Sequence, residues 1–172
     1  METRVDRDMG PRLRHASPLR DPANPTDPEL SARILRHLRP VPEAKSTFDK
    51  ELYGRLGELD IGKEDFLIVH PTDDRVLESA TSNLLFAQDN YLVIPEEDIL
   101  PGIVLSQLLL SKNTFEIERR SPTLDELVDF NEIILCGSGR EVVSLATIPE
   151  VRWQRSSQKN LLKLQKTFET VK

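Results

Sequence analysis

The sequence predicts a single α/β domain, strand-rich in its middle and flanked by helices, on three observations. Short apolar runs of strand length recur between residues 66 and 148, separated by turn-forming residues. Stripes of helical period punctuate these runs and close the chain. The length of 172 residues suffices for one core but not for two ordinary domains.

Composition narrows the function classes. A formal charge of −6 leaves no basic face for phosphate backbones outside the N-terminus, so no nucleic-acid partner is expected. The single Cys136 cannot form an internal disulfide, no secretory segment is present, and no apolar run is long enough for a bilayer. A soluble, cytoplasmic protein without membrane contact is the expectation. His70 stands at a strand end with no second His or Cys nearby, so no metal site is expected.

Residues 1–28 carry Arg4, Arg7, Arg12, Arg14 and Arg20 among prolines, with no apolar periodicity to offset the entropy of ordering them. They read as a disordered tail, with 29–172 forming the domain. Glu2, Asp6, Asp8 and Asp21 argue against a transit peptide. Asp27 and Pro28 then have the chemistry of a helix start, and Leu30, Ile34 and Leu38 give a stripe predicting a helix that ends before Pro40. A proline-rich extended stretch follows to Lys45, and a short helix is predicted over 48–56, weakened by Gly54.

Residues 66–70 read as a buried strand returning through the turn at 71–74 into 75–78. The segments 84–87 and 91–94 form a predicted hairpin about Asp89-Asn90. A helix over 101–110, a strand over 114–118 and a short helix over 123–129, with a Thr123/Glu126 capping box, come next. Strands over 132–136 and 141–148 flank the glycine-rich turn 137–140, and a final helix covers 156–171.

On the residues alone, Lys45 is a solvated lysine after a linker and Glu78 an ordinary strand-end glutamate. Gly102 and Gly139 are tight-turn glycines on the same terms. Three phrases in one order say more: Pro42 three residues before Lys45, then Glu78-Ser79-Ala80-Thr81-Ser82-Asn83 leading into a hairpin, then Leu100-Pro101-Gly102-Ile103 opening a helix. This arrangement resembles the class IV aminotransferases, the fold-type IV pyridoxal-phosphate enzymes that include branched-chain and D-amino acid aminotransferases and aminodeoxychorismate lyase. The resemblance runs from about residue 42 to the C-terminus.

The resemblance implies a mixed, strand-rich pseudo-barrel with flanking helices, like the C-terminal domain of those enzymes. It implies pyridoxal 5′-phosphate as cofactor, an amino acid and a 2-oxo acid as substrates, and a homodimer. Lys45, 33 residues before Glu78, maps onto the lysine that holds the cofactor as a Schiff base. Glu78 maps onto the partner of the pyridine nitrogen, and Ser82, Asn83, Gly102, Ile103, Val104, Ser138 and Gly139 onto cofactor-binding stretches. These positions are expected to converge on one cavity.

The reaction implied is transamination, or β-elimination as in aminodeoxychorismate lyase. The alternative is a truncated homologue that keeps the fold as an interaction or degenerate protein. Three departures favour that alternative. Val104-Leu105 stands where the family usually has threonine and arginine, and Gly139 replaces a frequent threonine. The family's N-terminal domain, which completes the cleft, has no counterpart in the residues before Lys45.

Overall fold

Side chains alternate between two buried faces along the central strands, which explains why those strands read as continuous apolar runs. In the strand β4 (Asn83–Gln88), Leu84 and Phe86 enter one core while Leu85 and Ala87 enter another. In β7 (Glu132–Gly137), Ile133 and Leu135 face the first core, Ile134 and Cys136 the second. The structure is a computed structural model and describes residues 29–44, 49–111 and 115–171. The predicted tail at 1–28 and Lys45 lie outside the described residues.

The remaining strands are β1 (Leu30–Arg36), β2 (Glu64–Val69), β3 (Val76–Ser79), β5 (Tyr91–Ile94), β6 (Glu116–Arg119), β8 (Glu141–Ile148) and β9 (Trp153–Gln154). They form one sheet in the order β3-β2-β1-β8-β7-β4-β5-β6, with β9 added to β8. The sheet curls strongly into a half-barrel. One core fills its inner face around Phe86, Leu127, Ile133 and Trp153. Outside, α1 (Lys50–Leu56) covers β2 and β3 through Leu52, packed with Phe66, Ile68 and Leu77. The helices α2 (Ile103–Leu110) and α3 (Lys159–Val171) cover β4, β5, β7 and β8 through Leu105, Leu108, Leu164 and Phe168. Among the described residues, no helix is long and apolar enough to cross a membrane.

Most predicted elements are present. The β4–β5 hairpin turns at Asp89-Asn90 with Gln88 opposite Tyr91, and Asp89 takes the left-handed backbone (φ 51°) that such a two-residue turn requires. The Thr123/Glu126 capping box is formed, but the helix it opens, Leu124–Asp129, is of the tighter 3₁₀ type. The last helix begins at Lys159, three residues later than expected.

One element is corrected. Residues 30–36 form the strand β1 where a helix is predicted, running parallel to β2 on one side and to β8 on the other. A spacing of four residues satisfies a period of two as well as a period of 3.6, so Leu30 and Ile34 fit both patterns. The structure uses the first. Leu30, Ala32 and Ile34 face the inner core, and Leu35 faces the core under α1.

The buried Glu132 has no exposed surface and holds the start of α3 to the sheet. Its oxygens accept the N–H groups of Asn160 and Leu161, both at 2.8 Å, and the Ser157 hydroxyl at 3.1 Å. A carboxylate there satisfies donors that the helix cannot, and it meets the positive end of the helix dipole. Glu132→Ala leaves those N–H groups unpaired over the second core. The expected cost is ~3 kcal/mol of stability in urea denaturation, with Glu132→Gln milder because one acceptor remains.

Candidate functional site

A cavity of about 270 Å³ opens between α1 and the N-terminus of α2. Its wall is built from three crossings of the chain: the turn 79–82 between β3 and β4, the approach to α2 at 100–103, and the turn 137–139 between β7 and β8. The first and third crossings touch. A Cβ on Gly137 would lie 2.7 Å from Ser82 Oγ, so only glycine lets the two turns meet at this distance. The turn 79–82 is fixed from within: Ser79 N–H donates to the Ser82 carbonyl at 2.8 Å, and Ser82 N–H donates to Ser79 Oγ at 2.9 Å.

Asn83 ties the second crossing to the first. Its Nδ2 donates to the Leu100 carbonyl and its Oδ1 accepts Gly102 N–H, each at 2.8 Å. The amide thus substitutes for a backbone bridge and aims the start of α2 at the cavity. A Cβ on Gly102 would sit 2.9 Å from Asn83 Oδ1, against the bond that holds it. Gly102 caps α2 without a side-chain hydrogen bond, and the first helical bond runs from Ser106 N–H to the Gly102 carbonyl. The N–H groups of Ile103, Val104 and Leu105 therefore lie outside the helical ladder. The Ile103 side chain is 71% exposed, whereas Val104 is buried in the core beneath α2.

Glu78 lines the cavity and is buried, 7% exposed. Arg39, which follows β1, donates from Nη2 to Glu78 Oε1, and Leu100 N–H reaches Oε2 at 3.4 Å. Burial pushes the Glu78 carboxyl up to about 7 against the pull of Arg39 and of that N–H. Next to Arg39, the buried pair His37 Nε2 and Asp49 Oδ2 stands at 2.8 Å. Asp49 Oδ1 also accepts Leu52 N–H at 3.1 Å as the N-cap of α1.

Glu78, Ser82, Asn83, Gly102, Ile103, Ser138 and Gly139 line this one cavity. Val104 is not among its lining residues, and Lys45 lies outside the described residues. Thr81 and Gly137, from the same two phrases, also line it, and so do Arg39 and Asp49, which escape a reading of the sequence. Arg39 sits in what looks like a proline linker, and Asp49 could have been found only as a helix cap.

Residues 15–148 match the amino-transferase class IV family. The chain belongs to the class IV aminotransferases. No curated protein sequence matches it. Among solved structures, the chain is similar to a hypothetical aminotransferase from Mycobacterium tuberculosis in an alpha-ketoglutarate and PMP bound form, at 22% identity and a TM-score of 0.66. That match covers 81% of this chain and 55% of the other. It is also similar to a branched-chain aminotransferase from Thermoproteus uzoniensis with norvaline, at 20% identity and a TM-score of 0.68, covering 84% and 51%. The branched-chain amino acid aminotransferase from Escherichia coli matches at 17% and 0.65, covering 83% and 52%. At these identities the likeness is one of fold, and this class IV chain spans about half the length of the solved structures it matches.

The raised Glu78 carboxyl gives a signed pH dependence. Between its ordinary 4.5 and about 7, the group ionises in the unfolded chain while staying protonated in the fold. Its contribution to stability is therefore complete below about 4.5 and lost as the pH rises through about 7. Urea denaturation from pH 4 to 8 should show the wild type losing ~3 kcal/mol relative to Glu78→Gln across that window.

Proposed function

We propose that this chain binds pyridoxal 5′-phosphate in the cavity and serves the transamination of an amino acid with a 2-oxo acid. The single observation that carries the reading is the buried Glu78 carboxylate, held on the cavity wall with its Oε2 engaged, among the described residues, by one long N–H contact. The residues present fit the cofactor. Oε2 has capacity for a second donor, and the N–H groups at the start of α2 form an anion cradle that needs no charged side chain.

When bound, the cofactor supplies a protonated pyridine ring that can accept electron density from the substrate's α-carbon. Glu78 would hold the proton at the ring nitrogen. Arg39 keeps Oε1 occupied and favours the ionised form of the carboxylate. Asn83 fixes the approach to α2, whose first N–H groups would hold the phosphate. Lys45 is assigned the amine that attaches the cofactor and moves the α-proton, a role that rests on its resemblance to the family's Pro-x-x-Lys phrase. The norvaline and alpha-ketoglutarate named with the solved relatives are ligands of the proposed substrate classes. Assembly as a homodimer and β-elimination as the alternative outcome belong to the same reading.

A second reading, a homologue that keeps the fold without turnover, is favoured by Val104. Its side chain is spent in the core and offers no hydroxyl to a phosphate, a contact worth ~1 kcal/mol or about fivefold in affinity.

Titration of the purified chain with pyridoxal 5′-phosphate, followed by visible absorbance, separates the two. The expected result is saturable binding with a visible band that Lys45→Ala removes, and an affinity at least ~10-fold lower in Glu78→Ala, which loses a charged partner. Wild-type protein that shows no saturable band leaves the second reading.

A further inference from the structure

We infer that Asp65, which does not itself line the cavity, is the positioning residue that locks two of its walls together. Asp65 lies on β2 with no exposed surface, among the apolar residues Phe66, Leu67 and Ile68. Its Oδ1 accepts Phe66 N–H at 2.8 Å. Everything else converges on Oδ2. The Thr81 hydroxyl donates to it at 2.6 Å and the Ser79 hydroxyl at 3.0 Å, while Arg140 Nε stands 3.8 Å away.

The two hydroxyls belong to the wall formed by the turn 79–82, and Arg140 follows directly on the wall formed by 137–139. Arg140 is anchored in turn, its Nη2 donating to the carbonyls of Ile61 and Glu64 at the start of β2. One oxygen atom thus joins segments nearly sixty residues apart in sequence, at the place where Ser82 and Gly137 are in contact.

The polarity of the arrangement needs a carboxylate. An ionised aspartate only accepts, so it fixes both hydroxyl hydrogens inward. The lone pairs of Ser79 Oγ are then free to accept the N–H groups of Thr81 and Ser82, which shapes the turn. Burial raises the Asp65 carboxyl above its ordinary range, opposed by Thr81, Arg140, Ser79 and Phe66 N–H. An asparagine of the same shape that keeps its oxygen on Phe66 N–H would turn an NH₂ toward two hydroxyls and a guanidinium. That places a donor against the guanidinium, and the hydroxyls could meet it only by turning their hydrogens away and giving up lone pairs, which Ser79 Oγ already uses for Thr81 and Ser82 N–H.

The inference rests on the cavity being a ligand site, and the experiment separates the two ideas. Native-state hydrogen exchange on ligand-free Asp65→Asn should show the amides of Ser79, Ala80, Ser82 and Arg140 exchanging at least ~10-fold faster, with the β4–β7 amides unchanged. In parallel, pyridoxal 5′-phosphate affinity should fall at least ~10-fold, as expected for losing a charged hydrogen-bond partner behind the walls. Wild-type protein that binds no cofactor while both turns loosen in the variant defeats the proposed function and leaves the locking role standing. Loosening at one turn only, at neither, or equally throughout the sheet overturns the role of Asp65. Should Asp65→Asn not fold, Thr81→Val and Arg140→Met each remove one partner and keep the carboxylate. Loosening that crosses to the opposite turn supports the proposal, and loosening confined to the substituted turn overturns it.

Discussion

The strand β1 is the constraint on which the rest depends. It lies between β2 and β8, parallel to both, and joins the part of the sheet under α1 to the part under α2 and α3. Glu78 and Ser79 belong to the first part and the 137–139 turn and Gly102 to the second, while Arg39 follows β1 itself. The cavity exists because a strand paired on both edges holds those two parts in register. Leu30, Ala32 and Ile34 fill its inner face, and Leu35 anchors the other face in the core under α1.

Three buried carboxylates mark where the chain crosses from one element to another. Glu132 gathers the start of α3, Glu78 holds Arg39 against the cavity wall, and Asp65 gathers two turns. Taking a carboxylate out of water is costly, and each of these offsets part of that cost with N–H, hydroxyl or guanidinium donors from elsewhere in the chain. A polar centre that specific accepts only one arrangement of its donors. Apolar contacts around it would tolerate several.

Those same centres show why the sequence is legible in some places and not in others. β4, β5, β7 and β8 could be read because their apolar runs, and the Asp89-Asn90 turn, are local signals. Glu78, Asn83 and Gly102 stood out because each sits in a contiguous phrase. Arg39 could not be read that way, since its partner is 39 residues away and its neighbours are prolines. Asp65 was hidden for a different reason: an acidic residue at the head of an apolar run looks like the solvent end of a strand, and burial reverses that expectation. β1 failed because a spacing of four residues carries both periods, and only its neighbours in the sheet decide between them.

Among the described residues, β6 ends the sheet, and its residues are Glu116, Ile117, Glu118 and Arg119. Tyr91 donates its hydroxyl to Glu118, and Arg120 bridges Glu118 at 3.1 Å to Glu126 at 2.8 Å. A foreign strand laid along this border would have to strip water from Glu116 and Arg119 and displace that bridge. A curled sheet this wide carries the hazard of growing edge to edge into aggregates, and the charges of β6 act as its gatekeepers.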